Sequence, residues 1–560
     1  MSKTNLFIVA LLALGHSAFA QTPPDRPTGG GQIQQIPPAP IPQRAAPEIR
    51  IEQSKVPASP GADQVRISVQ SLRVTGQTLY PEAQLIALTG FSPGVQLNLS
   101  ELRGMASKIA AHYHSNGYFV AQAYLPAQDI KDGVVTIAVI EGQYGNITLR
   151  NQTNLSDSLA NGLLGGLNRG DIITIAPLET RLLLLSDVPG VNVRSTLTPG
   201  ASLGASDLIV DVTPGRRVTG SVEADNHGNR YTGTNRIGAT VNINNPTGHG
   251  DVASLRVLTS GSGLKYGRAS YQTMFGRATA GVAYTALQYR LGEEFAPLRA
   301  HGTAEIVSLY GSYPLIRSRN TNLYGLLNFD AKTFQDKRDA AGLVSDKKAR
   351  VLIASLVGNH RDSLGGGGFS SYSVSLTAGD IDIRTPVDLT ADQAVPGPHT
   401  NGTFQKLGFT AARLQAITER VSLYAAINGQ LASKNLDISE KMGLGGPYAV
   451  RAYPVGEGYA DEGYVVNLEA RLLLSNMSAG QSGQMHLIGF VDTGSVTINK
   501  DQWAAGPNSR TLSGAGIGLT WEDYNNFSVK AYWARKLGDG VATSAPDKSG
   551  RFWIQGVKYF

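Results

Sequence analysis

After Pro214-Gly215 the chain settles into a period of two and keeps it to the last residue. Sixteen segments of ten to fourteen residues alternate apolar and polar side chains. They start near Arg217, Thr234, Val252, Leu264, Arg277, Gly302, Asn322, Arg350, Phe369, Phe404, Val421, Gly463, Gln484, Thr511, Asn526 and Arg551. A strand turns successive side chains to opposite faces, so such segments present one apolar face, and each is long enough to cross a bilayer when tilted. The connections alternate as well. Those after even-numbered segments are mostly short, such as Gly276, Ala416 to Arg420 and Glu522 to Asn525. Several after odd-numbered ones are long and polar: Gln335 to Lys348, Asp380 to Gly402, Ala432 to Glu462 and Lys500 to Arg510. A soluble propeller or β-helix has no reason to alternate loop length, whereas an outer-membrane barrel does. No apolar run of eighteen residues follows residue 20, which excludes membrane helices. Residues 215–560 are therefore expected to form a transmembrane β-barrel of 16 antiparallel strands, closed by a terminal strand rich in aromatics that ends on Phe560.

The region before the barrel has three compositions. Residues 1–20 carry Lys3, an apolar run from Leu6 to Leu14 and Ala18-Phe19-Ala20, the pattern of a secretory signal peptide. Residues 21–63 hold ten prolines with glycine and glutamine between them and are expected to be a Pro-rich periplasmic linker. Its one stretch able to form a short helix is Glu48 to Val56. From residue 64 an element order β-α-α-β-β occurs twice, over 64–142 and 143–214. In the first unit Ser100 is expected to cap the long helix and Tyr118 to Leu125 to form a strand. Charged residues are only 16% of the chain, the net charge is +6 and cysteine is absent. Disulfides and thiolate chemistry are excluded, and nucleic-acid binding gains no support. There is no Gly-x-Ser-x-Gly or His-Glu-x-x-His pattern, so the chain is not expected to be an enzyme and no cofactor or metal is expected.

The doubled unit resembles the POTRA domain, in the variant found in two-partner secretion outer-membrane transporters (TpsB type; the haemolysin activator and filamentous haemagglutinin transporter family). The residues that carry this are Asn116-Gly117-Tyr118, Ala123-Tyr124-Leu125-Pro126-Ala127-Gln128, and Asp132-Gly133 leading to Ile140-Glu141-Gly142. The resemblance implies that Tyr118, Ala123, Tyr124, Pro126 and Gln128 belong to the substrate-recognition region. The connection after the eleventh segment resembles the Val-Arg-Gly-Tyr loop of the same family and reads Val450-Arg451-Ala452-Tyr453, flanked by Gly445, Gly446, Gly456 and Gly458. The thirteenth segment carries Phe490-Val491-Asp492-Thr493-Gly494, similar to the family's Phe-x-Asp-x-Gly motif. Residues two apart share a strand face, so Phe490, Asp492 and Gly494 point the same way, and an ionised Asp492 forces that face into the lumen. Arg451 is expected to fold inward and pair with Asp492. Ala452 stands where the family has glycine, and an alanine held at positive φ there would be strained. Relatives also carry a helix that plugs the barrel, for which the proline density between Pro23 and Pro60 leaves little room.

The order of signal, linker, two periplasmic α+β POTRA domains and barrel is similar to that of the two-partner secretion transporter from about Val65 to Phe560. It implies an outer-membrane protein of a Gram-negative bacterium whose POTRA domains lie in the periplasm. Such a protein secretes one dedicated large β-helical exoprotein unfolded through the pore, and it depends on outer-membrane lipid and on the barrel-assembly machinery for biogenesis. Two other readings remain open at this point: a barrel-assembly factor of the same superfamily, and a passive diffusion porin.

Overall fold

The computed structural model describes residues 27–40, 48–51, 65–474 and 482–560. The signal-peptide expectation lies outside them.

The first α+β unit opens with β2 (Ile67–Val69) and β3 (Ser71–Thr75), after the N-terminal elements α1 (Gly29–Gln34) and β1 (Glu48–Ile51). It continues through α2 (Glu82–Thr89), β4 (Val95–Leu97), α3 (Leu99–Ser115), β5 (Gln122–Tyr124) and β6 (Val134–Ile140). Helix α3 is capped by Asn98, not Ser100. The Asn98 side chain accepts from the Glu101 amide while Glu101 accepts from the Asn98 amide, a reciprocal box that a serine two places later could not close. The strand expected over Tyr118 to Leu125 shrinks to three residues because Tyr118 to Ala121 form a turn, the Ala121 amide donating to the Tyr118 carbonyl. Leu102, Ala106, Ile109 and Tyr113 of α3 pack on Leu72, Val74, Ile137 and Val139 of the sheet, whose order is β3-β6-β5.

The second unit runs β7 (Gln143–Asn151), α4 (Asp157–Leu164), α5 (Ile175–Ser186), β8 (Val191–Pro199) and β9 (Ala205–Pro214). Its sheet order is β1-β8-β9-β7. The outermost strand comes from the N-terminal segment, with Glu48 to Ile51 running parallel to Arg194 to Leu197. The helix expected over Glu48 to Val56 is thus a strand at its start, where the alternating Ile49 and Ile51 find an open sheet edge. The rest of that stretch lies outside the described residues.

The barrel strands are β10 (Val218–Asp225), β11 (Arg236–Asn244), β12 (Val252–Thr259), β13 (Leu264–Phe275), β14 (Ala278–Arg290), β15 (Ala300–Arg317), β16 (Thr321–Arg338) and β17 (Leu343–Asp362). They continue as β18 (Gly368–Ile383), β19 (Gly402–Ala416), β20 (Val421–Ala432), β21 (Glu462–Leu474), β22 (Gln484–Thr497), β23 (Ser509–Asp523), β24 (Phe527–Leu537) and β25 (Gly550–Tyr559). Every neighbouring pair is antiparallel, and β10 closes on β25 by pairing Ser221 to Asp225 with Tyr559 to Gln555. The sixteen-strand expectation holds, and fifteen strands start within three residues of the expected places. The eighth strand starts at Leu343 instead of near Arg350, because the polar stretch Gln335 to Lys348 is not a loop. Its two arms stay paired through Lys337 and Val344 and turn at 339–342. Polar side chains on both faces hide a ladder that continues past the apolar band.

Val222, Ile237, Leu255, Val282, Leu309, Leu327, Leu376 and Ile517 make the outer face apolar, while Glu223, Asp225, Arg236 and Arg256 face inward and are buried. A barrel in lipid needs this inversion of a soluble fold. The short connections lie beside the second α+β unit. Arg317, at the end of β15, makes a two-pronged contact with Asp187 at 2.7 and 2.8 Å, and Arg319 reaches Glu179 at 2.7 Å.

Candidate functional site

The connection 433–461 does not project away from the barrel; its tip turns back into the lumen. Val450, Ala452 and Tyr453 are fully buried and Arg451 nearly so. The Arg451 guanidinium forks onto Asp492, Nε to Oδ2 at 2.8 Å and Nη2 to Oδ1 at 2.7 Å, and its backbone amide also donates to Oδ2 at 3.1 Å. Its remaining arm, Nη1, donates to Glu469 Oε1 at 2.8 Å. The cation lies 3.5 Å from the Phe490 ring centroid and 5.1 Å from that of Tyr532. The Arg451 carbonyl accepts from the Trp553 indole at 2.7 Å. Arg471 takes the other oxygen of Glu469 at 2.7 Å, so two cations face two carboxylates. Such a buried cation is stable because its donors are forked, the cluster's charge is matched and an aromatic face covers it. Removing one partner would strand the others at a cost of about 3–5 kcal/mol.

Register places these groups. Asn467 of β21 stands opposite Asp492 of β22, and Glu469 opposite Phe490. Asn467 donates to Asp492 Oδ1 at 2.8 Å and to the Ala449 carbonyl at 2.9 Å, which joins strand, carboxylate and loop. Glu469, Asn467, Tyr532 and Trp553 were not among the expected site residues. Counting the β21–β22 register from the Asp492 motif finds the first two; Tyr532 and Trp553 come from β24 and β25, whose offset no local pattern gives.

The other expected loop residues have definite places. Tyr453 donates its hydroxyl to the Gly540 carbonyl at 3.0 Å. Gly446, Gly456 and Gly458 have positive φ, and Gly445 lies where a Cβ would come within 2.4 Å of the Pro454 carbonyl. A Cβ on Gly494 would meet Leu444 of the loop at 2.5 Å. Ala452 is not among the positive-φ residues, so the strain expected of it does not arise. Its methyl instead sits over Gly514 of β23, where a second Cβ would be 2.5 Å away. The loop is also fastened at its shoulders. Asp437 pairs with Lys347 at 2.6 Å, Glu440 with Lys332 and Lys406 at 2.6 and 2.9 Å, and buried Glu457 with Arg510 at 2.5 Å.

Beneath this loop lies α1. The linker expectation for residues 21–63 misses what residues 27–40 do: they occupy the lumen. Thr28 caps the helix, the Gly29 amide donates to Asp336 Oδ1 at 2.8 Å, and Thr232 donates to Gln32 at 3.0 Å. Gln34 bonds the Ser439 carbonyl, and Tyr459 of the loop donates to the Gly31 carbonyl at 3.1 Å. A six-residue helix fits despite the prolines because Gly29 to Gly31 let its backbone approach the wall and the loop. A Cβ on Gly30 would meet Ser439 Cβ at 2.8 Å.

In the first α+β unit, Gln128 closes the sheet rather than facing solvent. Its amide accepts from the Thr136 amide at 2.7 Å and donates to the Thr136 carbonyl at 2.8 Å, replacing a strand residue where β5 has ended. Tyr118 packs its ring against Tyr80 and Tyr113, Ala123 joins the core and Pro126 is half-buried. Tyr124, on edge strand β5, is exposed.

A sixteen-strand barrel with an apolar outer face, an inward loop locked to its wall and α+β units at one mouth defines an outer-membrane β-barrel protein with an obstructed lumen. Residues 204–521 match the family of haemolysin secretion/activation proteins ShlB/FhaC/HecB, and residues 67–142 match the ShlB-type POTRA domain. The chain belongs to that family: it is a two-partner secretion transporter of the outer membrane, with its POTRA region in the periplasm. It is 30% identical over 474 residues to the heme/hemopexin transporter protein HuxB of Haemophilus influenzae (strain 86-028NP), covering 83% of this chain and 82% of that one. The outer membrane transporter CdiB of Dickeya dadantii (strain 3937) is 24% identical over 69% of each. In fold it is similar to CdiB from Escherichia coli, with a TM-score of 0.65 at 21% identity over 90% of this chain and 93% of that one. These relatives are transporters, and the family assignment decides against the barrel-assembly reading.

Proposed function

We propose that this transporter holds its pore shut with two interlocked parts, the loop pinned by Arg451 and the segment 27–40 beneath it. The observation that carries this is the buried three-way contact of Arg451 with Asp492 and Glu469, made by a loop that also grips α1 through Ser439 and Tyr459. Its cargo is one dedicated large exoprotein of β-helical type, caught unfolded in the periplasm. With β1 covering the β8 edge of the second unit, β5 of the first unit, bearing exposed Tyr124, is the edge we assign to cargo. An extended chain adding there would gain main-chain hydrogen bonds with little demand on sequence. The chain then crosses the lumen after loop and helix yield, driven by folding outside.

The test is secretion by Arg451→Ala and Asp492→Ala variants that still insert, scored by surface appearance of the exoprotein. Undiminished export in both would refute the lock, and solute flux unchanged by loss of the loop would show that the loop does not close the pore.

A further inference from the structure

We infer that the lumen wall of β10 to β14 is a track for the main chain of an extended polypeptide, occupied by residues 35–40 in the closed protein and by the exported chain during transport. The inference rests on the export reading above. Segment 35–40 reads Gln-Ile-Pro-Pro-Ala-Pro and belongs to no strand ladder. The wall holds it by its carbonyls: Arg236 Nη1 donates to the Gln35 carbonyl at 3.2 Å and Arg256 Nη1 to that of Pro37 at 2.6 Å. Neither contact reads a side chain.

Both arginines are fixed from behind. Arg236 is forked onto Asp225 at 2.8 and 3.1 Å, and Arg256 donates to Glu223 at 2.7 Å, so the guanidiniums keep their aim while their charge is balanced.

The same wall has hydrogen-bonding capacity that the proline segment cannot use. Among the described residues, Arg256 Nε, Glu223 Oε2 and Thr240 Oγ1 are buried and have no hydrogen-bond partner. Beside the segment is a cavity of about 370 Å³ whose wall side mixes polar residues, among them Thr240, Ser254, Arg256 and Arg268, with Tyr266 and Ile306. Two of the three idle atoms are acceptors, and proline offers no N–H. An ordinary polypeptide in the same place brings an amide N–H at every residue. The prolines thus let the segment rest on the track through carbonyls alone, and a chain with both donors and acceptors displaces it by engaging the rest.

The whole purified protein, in planar bilayers, tests this. The probes, added on the periplasmic side, are two peptides of thirteen residues: a proline-free Ser/Thr/Asn sequence and its fully N-methylated copy. During open events the unmodified peptide should block at least tenfold longer than the N-methylated one. Thr240→Val should shorten only the unmodified peptide's blocks, and Arg256→Gln those of both. Equal block times for the two peptides, or variants without effect, overturn the track. Should these variants fail to insert, an otherwise native chain carrying Ser254→Cys replaces them, since the protein has no cysteine of its own. A single-cysteine peptide should crosslink there about tenfold more than at Ser375→Cys on β18 across the lumen. Equal yields overturn the track while leaving export standing; no block and no crosslink anywhere overturn both.

Discussion

Adding one methyl group to the wall, by Gly514→Ala, should unseat the loop tip. The new Cβ would lie 2.5 Å from Ala452 Cβ and 3.2 Å from the Arg535 carbonyl, against a comfortable carbon separation of about 3.5–4.0 Å. Overpacking of this size costs about 1–3 kcal/mol. Ala452 lies between Arg451 and Tyr453 in the buried tip, and β23 is held by ladders on both sides, so the tip moves first. A shift of that size changes the closed-to-open ratio about 5- to 150-fold. Ala452→Gly alone removes one buried methyl and should loosen the tip by about 1 kcal/mol. In the double variant the methyl has simply changed sides, leaving only the Arg535 contact. The double-mutant cycle should therefore show a favourable coupling of about 1–2 kcal/mol. The assay is open probability in planar bilayers, with insertion checked by heat-modifiable gel mobility. Additivity within about 0.5 kcal/mol would refute direct packing of Ala452 on Gly514.

Gly30→Val should expel α1, since even its Cβ meets Ser439 Cβ at 2.8 Å; conductance should rise, with Gly30→Ala intermediate and partly rescued by Ser439→Gly. In the first POTRA unit, burial pushes the Glu141 carboxyl up, but hydrogen bonds from Thr78, Leu79 and Tyr113 outweigh this and hold it below its ordinary 4.5. Its contribution to stability is therefore complete above about pH 4.5 and is lost as the pH falls through the lower folded value. Glu141→Gln should cost about 1–3 kcal/mol in urea unfolding followed by Tyr80 and Tyr113 near-ultraviolet dichroism, and should flatten the acid limb. In the connection between β10 and β11, burial holds His227 down at about 4, its ring wedged between Tyr448 of the loop and Trp553. Asp225 opposes that shift and Arg236 reinforces it. Protonation is thus disfavoured in the closed state, so closure should be full above about pH 6.5 and weaken toward pH 4. His227→Phe should remove the pH dependence of open probability over that range.

The strand count was legible because each barrel strand must show lipid an apolar residue at every second position, which writes the pattern into the chain segment by segment. The inward face of Asp492 was legible for a related reason: a carboxylate on an alternating strand has no place but the lumen. That Arg451 meets it was implied by the resemblance of the loop and strand motifs to the family's. The ladder between Lys337 and Val344 was not, since past the apolar band both faces are polar and a paired arm has the composition of a loop. Residues 27–40 were not legible either. A proline-rich stretch has no periodicity of its own, and what orders it is Asp336, Thr232, Ser439, Tyr459 and Arg256, two hundred or more residues away.

Sequence alone, then, determined what depends on local periodicity: sixteen strands, two α+β units, and a carboxylate, Asp492, facing the lumen. Tertiary structure decided everything that depends on closure of the barrel. Only when β10 meets β25 do Trp553 and Arg451, or Arg256 and Pro37, become neighbours. That closure explains why Ala452 is tolerated: its methyl occupies space left by Gly514 on another strand. It also put the prolines inside the pore, where carbonyls without partnering N–H groups suit a wall of arginines.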